Sequence, residues 1–149
     1  MIRSFFLTLL VSLCLTATAT MAQATMVSVD ADMINLRSGP GTNYKILWEL
    51  GRGYPLKVIG SKGNWYRVTD FEDDKGWVYK KLVSRTPHLV VKKKAINIRS
   101  GPSTRYKIVR QAKRGVVFRT LQRKRGWVKV RHEEEKVEGW IKRDLLWGW

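Results

Sequence analysis

Six side chains suited to recognition chemistry fall into three matched pairs, Arg37 with Arg99, Tyr44 with Tyr106 and Trp65 with Trp127, each pair 62 positions apart. A guanidinium presents a planar fork of N–H donors that fits a carboxylate or a phosphate. Tyrosine and tryptophan rings offer flat amphipathic surface on which a glycan or peptide can lie, and such rings are common binding anchors. The pairs read as two copies of one ligand site, between the turn after Arg37 and the loop before Trp65 and at the equivalent place downstream. A structural reading stands beside it, with the arginines in intradomain or solvated pairs and Trp65 and Trp127 packed in a core. Trp77 and Trp140 alternate with apolar strand residues and are expected in the core. Asn35 and Asn97 are expected to satisfy backbone groups of the Ser-Gly-Pro turn that follows each.

Bond-making chemistry finds little support. The one cysteine, Cys14, lies in the apolar N-terminal stretch. His88 and His132 are isolated, with Met26 and Asp70 at the corresponding places in the other copy, and no H-E-x-x-H spacing occurs. Asp70, Glu72, Asp73 and Asp74 cluster without the spacing of a calcium loop and read as a solvated hairpin. The expectation is a protein without catalytic residues, metal or cofactor.

The elements that position the paired residues are themselves repeated. Ile34 to Leu47 returns as Ile96 to Val109 with ten of fourteen positions identical, and Gly76-Trp77-Val78 returns as Gly139-Trp140-Ile141 after a one-residue insertion. Apolar residues alternate with period two at Val27/Val29, Ile34/Leu36, Leu56/Val58 and Tyr66/Val68, and again at Leu89/Val91, Ile96/Ile98 and Val128/Val130. That is the signal of half-buried strands. Turn formers separate the runs, as in Gly51-Arg-Gly53 and Asp73-Asp-Lys-Gly76. Short strands at regular spacing predict an all-β fold, two small antiparallel barrels in tandem. Their expected limits are 25–85 and 86–149, joined through a short linker at Pro87, so that the barrels touch.

Residues 1–24 have a basic start, an apolar stretch diluted by Ser and Thr, and an Ala22-Gln23-Ala24 site, which predicts a secretory signal peptide cleaved after about Ala24. No segment approaches the roughly 20 apolar residues of a membrane span. The mature chain is therefore expected in the periplasm or outside the cell, with its folding resting on packing alone. Its charge is uneven. Residues 25–85 hold 10 Lys/Arg against 7 Asp/Glu, a net of +3, whereas residues 86–149 hold 18 against 5, a net of +13. The basic runs Lys92-Lys93-Lys94, Lys113-Arg114 and Arg123-Lys124-Arg125 all fall in the second copy and read either as solvated turns or as an electrostatic surface for an anionic partner. Export favours a cell-wall polymer, lipopolysaccharide or acidic headgroups over nucleic acid. Glu133-Glu134-Glu135 is the acidic counterpart, able to pair with a basic run across the domains or to solubilise its own turn.

The motifs I-N-L-R-S-G-P-G-T-x-Y and I-N-I-R-S-G-P-S-T-x-Y, each followed by a later Trp and a closing G-W-V or G-W-I, resemble the signature of bacterial SH3-like domains. The resemblance covers nearly all of residues 27–147. It implies a small, strongly bent antiparallel barrel in each copy and a module that binds instead of catalysing, often by attaching to peptidoglycan or by contacting envelope proteins. The sequence reading is thus an exported, non-catalytic envelope-binding protein. A protein-interaction adaptor is the alternative, and nucleic-acid binding through the basic half is a weaker one.

Overall fold

A computed structural model describes residues 24–149. The expected signal peptide, Ala24 apart, and Cys14 within it lie outside the described residues. The first copy contributes β1 (Met26–Val29), β2 (Met33–Arg37), β3 (Ile46–Gly51), β4 (Pro55–Lys62), β5 (Trp65–Thr69), β6 (Lys75–Tyr79) and β7 (Val83–Ser84). The second contributes β8 (His88–Val91), β9 (Ala95–Arg99), β10 (Ile108–Lys113), β11 (Val117–Lys124), β12 (Trp127–Arg131), β13 (Glu138–Lys142) and β14 (Leu146–Gly148). A single 3-10 turn precedes β7 and another precedes β14. The strand orders β3-β2-β6-β5-β4-β1-β7 and β10-β9-β13-β12-β11-β8-β14 are the same path walked twice, antiparallel throughout. The fold is all-β, two SH3-like barrels in tandem.

Period-two alternation sorts each strand into an inner and an outer face. Ile34 and Leu36 of β2, Val68 of β5 and Val78 of β6 fill the first core, and Ile96, Ile98, Val128, Val130 and Ile141 fill the second. These interiors are aliphatic, with Phe118 the one aromatic residue among the buried core members. The expectation of Trp77 and Trp140 in the core is therefore corrected: both are half-buried on the outer face. The cause is strand parity. Gly76 and Val78 face inward, so Trp77 faces out. At Gly76 the strand comes so close to β2 that a Cβ would stand 2.6 Å from Leu36 Cγ and 2.9 Å from the Arg37 carbonyl oxygen. Gly139 meets Ile98 and the Arg99 carbonyl in the same way.

The acidic cluster is also built differently from a solvated hairpin. Asp70 is buried; its Oδ1 accepts the N–H groups of Glu72 (2.9 Å) and Asp74 (3.0 Å), and its Oδ2 accepts the Tyr54 hydroxyl (3.0 Å). Burial first, and then the Asp70 charge, push the Tyr54 hydroxyl above the usual tyrosine range. The turn that Asp70 shapes carries Glu72 to the second copy. There Arg114 donates to Glu72 Oε1 from Nε (3.1 Å) and Nη2 (2.9 Å), and its guanidinium lies over the Phe71 ring at 5.0 Å. His88, at the linker, is buried with its ring against Gly53, and its Nδ1 is 3.1 Å from the Thr86 carbonyl oxygen. Burial holds the His88 imidazole below its ordinary value. The barrels therefore touch, as the short linker implied. Glu133 and Glu135, by contrast, pair inside their own copy with Arg119 and Arg110. Trp147 folds back on β8 through β14.

Gly76→Ala is expected to lower stability by about 1–3 kcal/mol, the cost of forcing a methyl into filled space. Gly60, where a Cβ would have only Arg67 Cβ nearby at 3.6 Å, is the matched control. Urea unfolding followed by tryptophan fluorescence should show a clear midpoint loss for Gly76→Ala and little or none for Gly60→Ala.

Candidate functional site

The loop after β2 is closed by the Ser38 N–H donating to the Lys45 carbonyl at 2.9 Å. Arg37 folds back over it, its Nη1 donating to the carbonyls of Thr42 and Tyr44, both at 2.9 Å. The Tyr44 ring covers Gly39 so closely that any side chain there would collide with it. One arginine and one ring therefore fix a loop that lacks regular structure, and one Arg37 nitrogen serves this structural role.

Across from the loop, Trp65 opens β5 directly opposite Tyr79 of β6, as their strand register dictates. Their ring centroids are 5.5 Å apart with planes tilted by 55°. Between the loop and these rings lies a cleft of about 530 Å³, room enough for a small ligand. It is lined by Asn35, Arg37, the loop residues Gly41 to Asn43, Trp65, Tyr79 and Leu82. The structure thus brings Arg37 and Trp65 together where the sequence placed a site. Tyr44 does not line the cleft; its ring lies on Gly39, 43 % exposed, and its carbonyl binds Arg37. Tyr79 is a lining residue that the sequence reading did not single out, and Asn35, read there as satisfying the turn, also lines the cleft. Register held the signal for Tyr79, because it shares the outer face of β6 with Trp77. The turn-satisfying role expected for Asn97 is replaced by another: its Oδ1 accepts from Gln111 Nε2 at 3.0 Å across β9 and β10.

The second barrel repeats the frame. Arg99 Nη1 donates to the Thr104 and Tyr106 carbonyls at 3.1 and 2.9 Å, Tyr106 covers Gly101, and Trp127 opens β12. Its partner across the register is Lys142 in place of a tyrosine. Of the basic residues, Lys92, Lys93 and Lys94 lie between β8 and β9, and Lys113 and Arg114 end the β10 region. Arg123, Lys124 and Arg125 are exposed at the β11–β12 hairpin. Arg114 belongs to the contact with Glu72 and Phe71, not to an open basic surface. Among the described residues no group of three or more His, Cys, Asp or Glu is arranged to hold a metal ion, and no helix is long and apolar enough to cross a membrane.

The bacterial SH3 domain model matches residues 30–85 and again residues 92–148. The chain belongs to the bacterial SH3 domain family. It is similar to YrvJ of Bacillus subtilis (strain 168), provisionally named an N-acetylmuramoyl-L-alanine amidase, with 24% identity over 141 residues. That match takes in 87% of this chain and 27% of the relative, so the chain spans about a quarter of that protein's length. Among solved structures it is similar to NlpC1 from Trichomonas vaginalis, at 18% identity and a TM-score of 0.38, covering 91% of this chain and 49% of the other. It is also similar to an NlpC/P60 family protein from Bacillus cereus ATCC 10987, at 13% identity and a TM-score of 0.40, covering 84% and 56%. Both matched segments of this chain are SH3 domains; no catalytic domain is matched within it.

Arg37→Met removes both loop hydrogen bonds and is expected to cost about 1–3 kcal/mol locally. Amide hydrogen exchange should show faster exchange confined to Ser38–Lys45, with the β5 and β6 amides unchanged.

Proposed function

We propose that the mature chain is an exported, non-catalytic binding protein of the bacterial cell envelope that recognises peptidoglycan or another anionic envelope component. The observation that carries this reading is the first-barrel groove, in which Trp65 and Tyr79 supply ring surface facing Asn35, Arg37 and an ordered loop. Similarity to a protein named as an N-acetylmuramoyl-L-alanine amidase supports a wall ligand for SH3 domains of this kind. The two barrels then divide the work. The first gives shape-specific contact, and the second, at a net +13 over residues 86–149, adds attraction to anionic polymer that weakens as salt screens it.

A second reading has its own observation. The outermost strand β3 exposes Ile46, Leu47 and Trp48, the last at 57%, which suits docking of an envelope protein.

Co-sedimentation of residues 25–149 with isolated peptidoglycan sacculi tests the proposal, from low salt to about 0.5 M, where charge contacts are screened beyond a few ångströms. Retention through high salt that Trp65→Ala and Tyr79→Ala each abolish is the expected result. Absence of retention at every salt concentration overturns it in favour of the docking reading.

A further inference from the structure

We propose that the face of the second barrel matching the first-barrel cleft is a distinct subsite that selects an oxyanion-bearing part of the ligand, with Arg105 and Lys142 as its selectivity residues. This rests on the wall-binding reading above. The first-barrel cleft and the matching face of the second barrel share one frame. Ser100 N–H closes the second loop on the Lys107 carbonyl at 3.0 Å, as Ser38 does on Lys45 at 2.9 Å. Arg99 clamps its loop through the same two carbonyl positions as Arg37, and Trp127 meets Lys142 in the same register that joins Trp65 to Tyr79.

What differs is the chemistry hung on that frame. Asn35, Thr42 and Leu82 have the matching residues Asn97, Thr104 and Leu145. Three positions that line the first cleft change: Gly41 becomes Ser103, Asn43 becomes Arg105 and Tyr79 becomes Lys142. An aromatic wall and an amide are thereby exchanged for two cations around a retained tryptophan. The acid nearest in sequence is Asp144, 3.4 Å from Lys142 Nζ, but the two side chains are 55% and 64% exposed, so water weakens their pairing and Lys142 stays available. The hairpin that carries Arg123, Lys124 and Arg125 leads directly into Trp127 and adds positive charge beside that residue. A ligand with a carboxylate or phosphate next to an apolar sugar or peptide face fits this combination: charge-assisted hydrogen bonds from the cations, ring contact from Trp127. The first groove, whose only cationic lining residue is Arg37, lacks that discrimination. Specificity here is a difference between two otherwise matched sites.

The test follows the indole N–H resonances of Trp65 and Trp127 by NMR during titration of residues 25–149. Three probes are used: a disaccharide-tetrapeptide with free carboxylates, its fully amidated counterpart, and a glycerol-phosphate oligomer. Trp127 is expected to respond to the free-carboxylate or the phosphate probe at concentrations about tenfold below those needed for the amidated one. Which anionic probe acts identifies the oxyanion source. Trp65 is expected to treat charged and amidated peptides alike. The double variant Lys142→Tyr with Arg105→Asn, which installs the first groove's residues, should erase the Trp127 preference and leave Trp65 unaltered. An equal Trp127 response to charged and amidated probes, or a preference that survives in the double variant, overturns this inference and leaves the wall reading intact if Trp65 still responds. Silence of both indoles towards all three probes overturns the wall reading together with it.

Discussion

Where β6 crosses β2, Gly76 brings the two backbones into a contact that no other residue permits, with Leu36 and the Arg37 carbonyl occupying the space of a side chain. The consequences run outward from that point. Because Gly76 and Val78 are committed to the interior, Trp77 and Tyr79 must stand on the outer face. Because β5 pairs with β6 in a fixed register, Tyr79 falls opposite Trp65 and the two rings form a wall. Because Arg37 ends β2 beside the same crossing, its side chain is in place to tie down the loop that forms the facing wall. A cleft is thereby made from short strands and an irregular loop without any disulfide among the described residues.

Duplication has kept that crossing and varied what it displays. Gly139 repeats the contact against Ile98 and the Arg99 carbonyl, and Arg99 repeats the loop clamp. Interior positions stay apolar, as Leu36 to Ile98, Val78 to Ile141 and Leu56 to Phe118, since a packed core tolerates hydrophobic substitution when the pattern is kept. The outer positions changed in kind, Tyr79 to Lys142 being the plainest case. The copies are joined through side chains with no counterpart of the same role in the other copy: Glu72 and Phe71 on one side, Arg114 on the other, and His88 seated on Gly53. The pair of barrels is for this reason an asymmetric object built from a symmetric sequence.

The repeat, the strand periodicity and the family motifs made the fold and its duplication legible, because they depend on local pattern and on residues such as Gly76 that the crossing demands. The pairing of Arg37 with Trp65 around one candidate cleft was legible too, since the two flank its loops in sequence. What escaped was decided by pairing between strands. Hydrophobicity alone argued for Trp77 in the core, while the parity set by Gly76 and Val78 put it outside. Tyr79 became a groove residue through its register with Trp65, and Asn97 found Gln111 through its register with β10. Arg114 looked like one more surface cation until the Asp70-shaped turn delivered Glu72 to it. Each of these facts lies in tertiary placement, which composition and spacing do not encode.

The most direct test of the account is to find which side chains touch a bound wall fragment. Intermolecular nuclear Overhauser contacts between a disaccharide-tetrapeptide and residues 25–149 would report it. The account predicts contacts to the Trp65 and Tyr79 rings and to the Gly41–Asn43 loop. Contacts confined to the exposed β3 residues Ile46 and Trp48, with none to Trp65 or Tyr79, would contradict it.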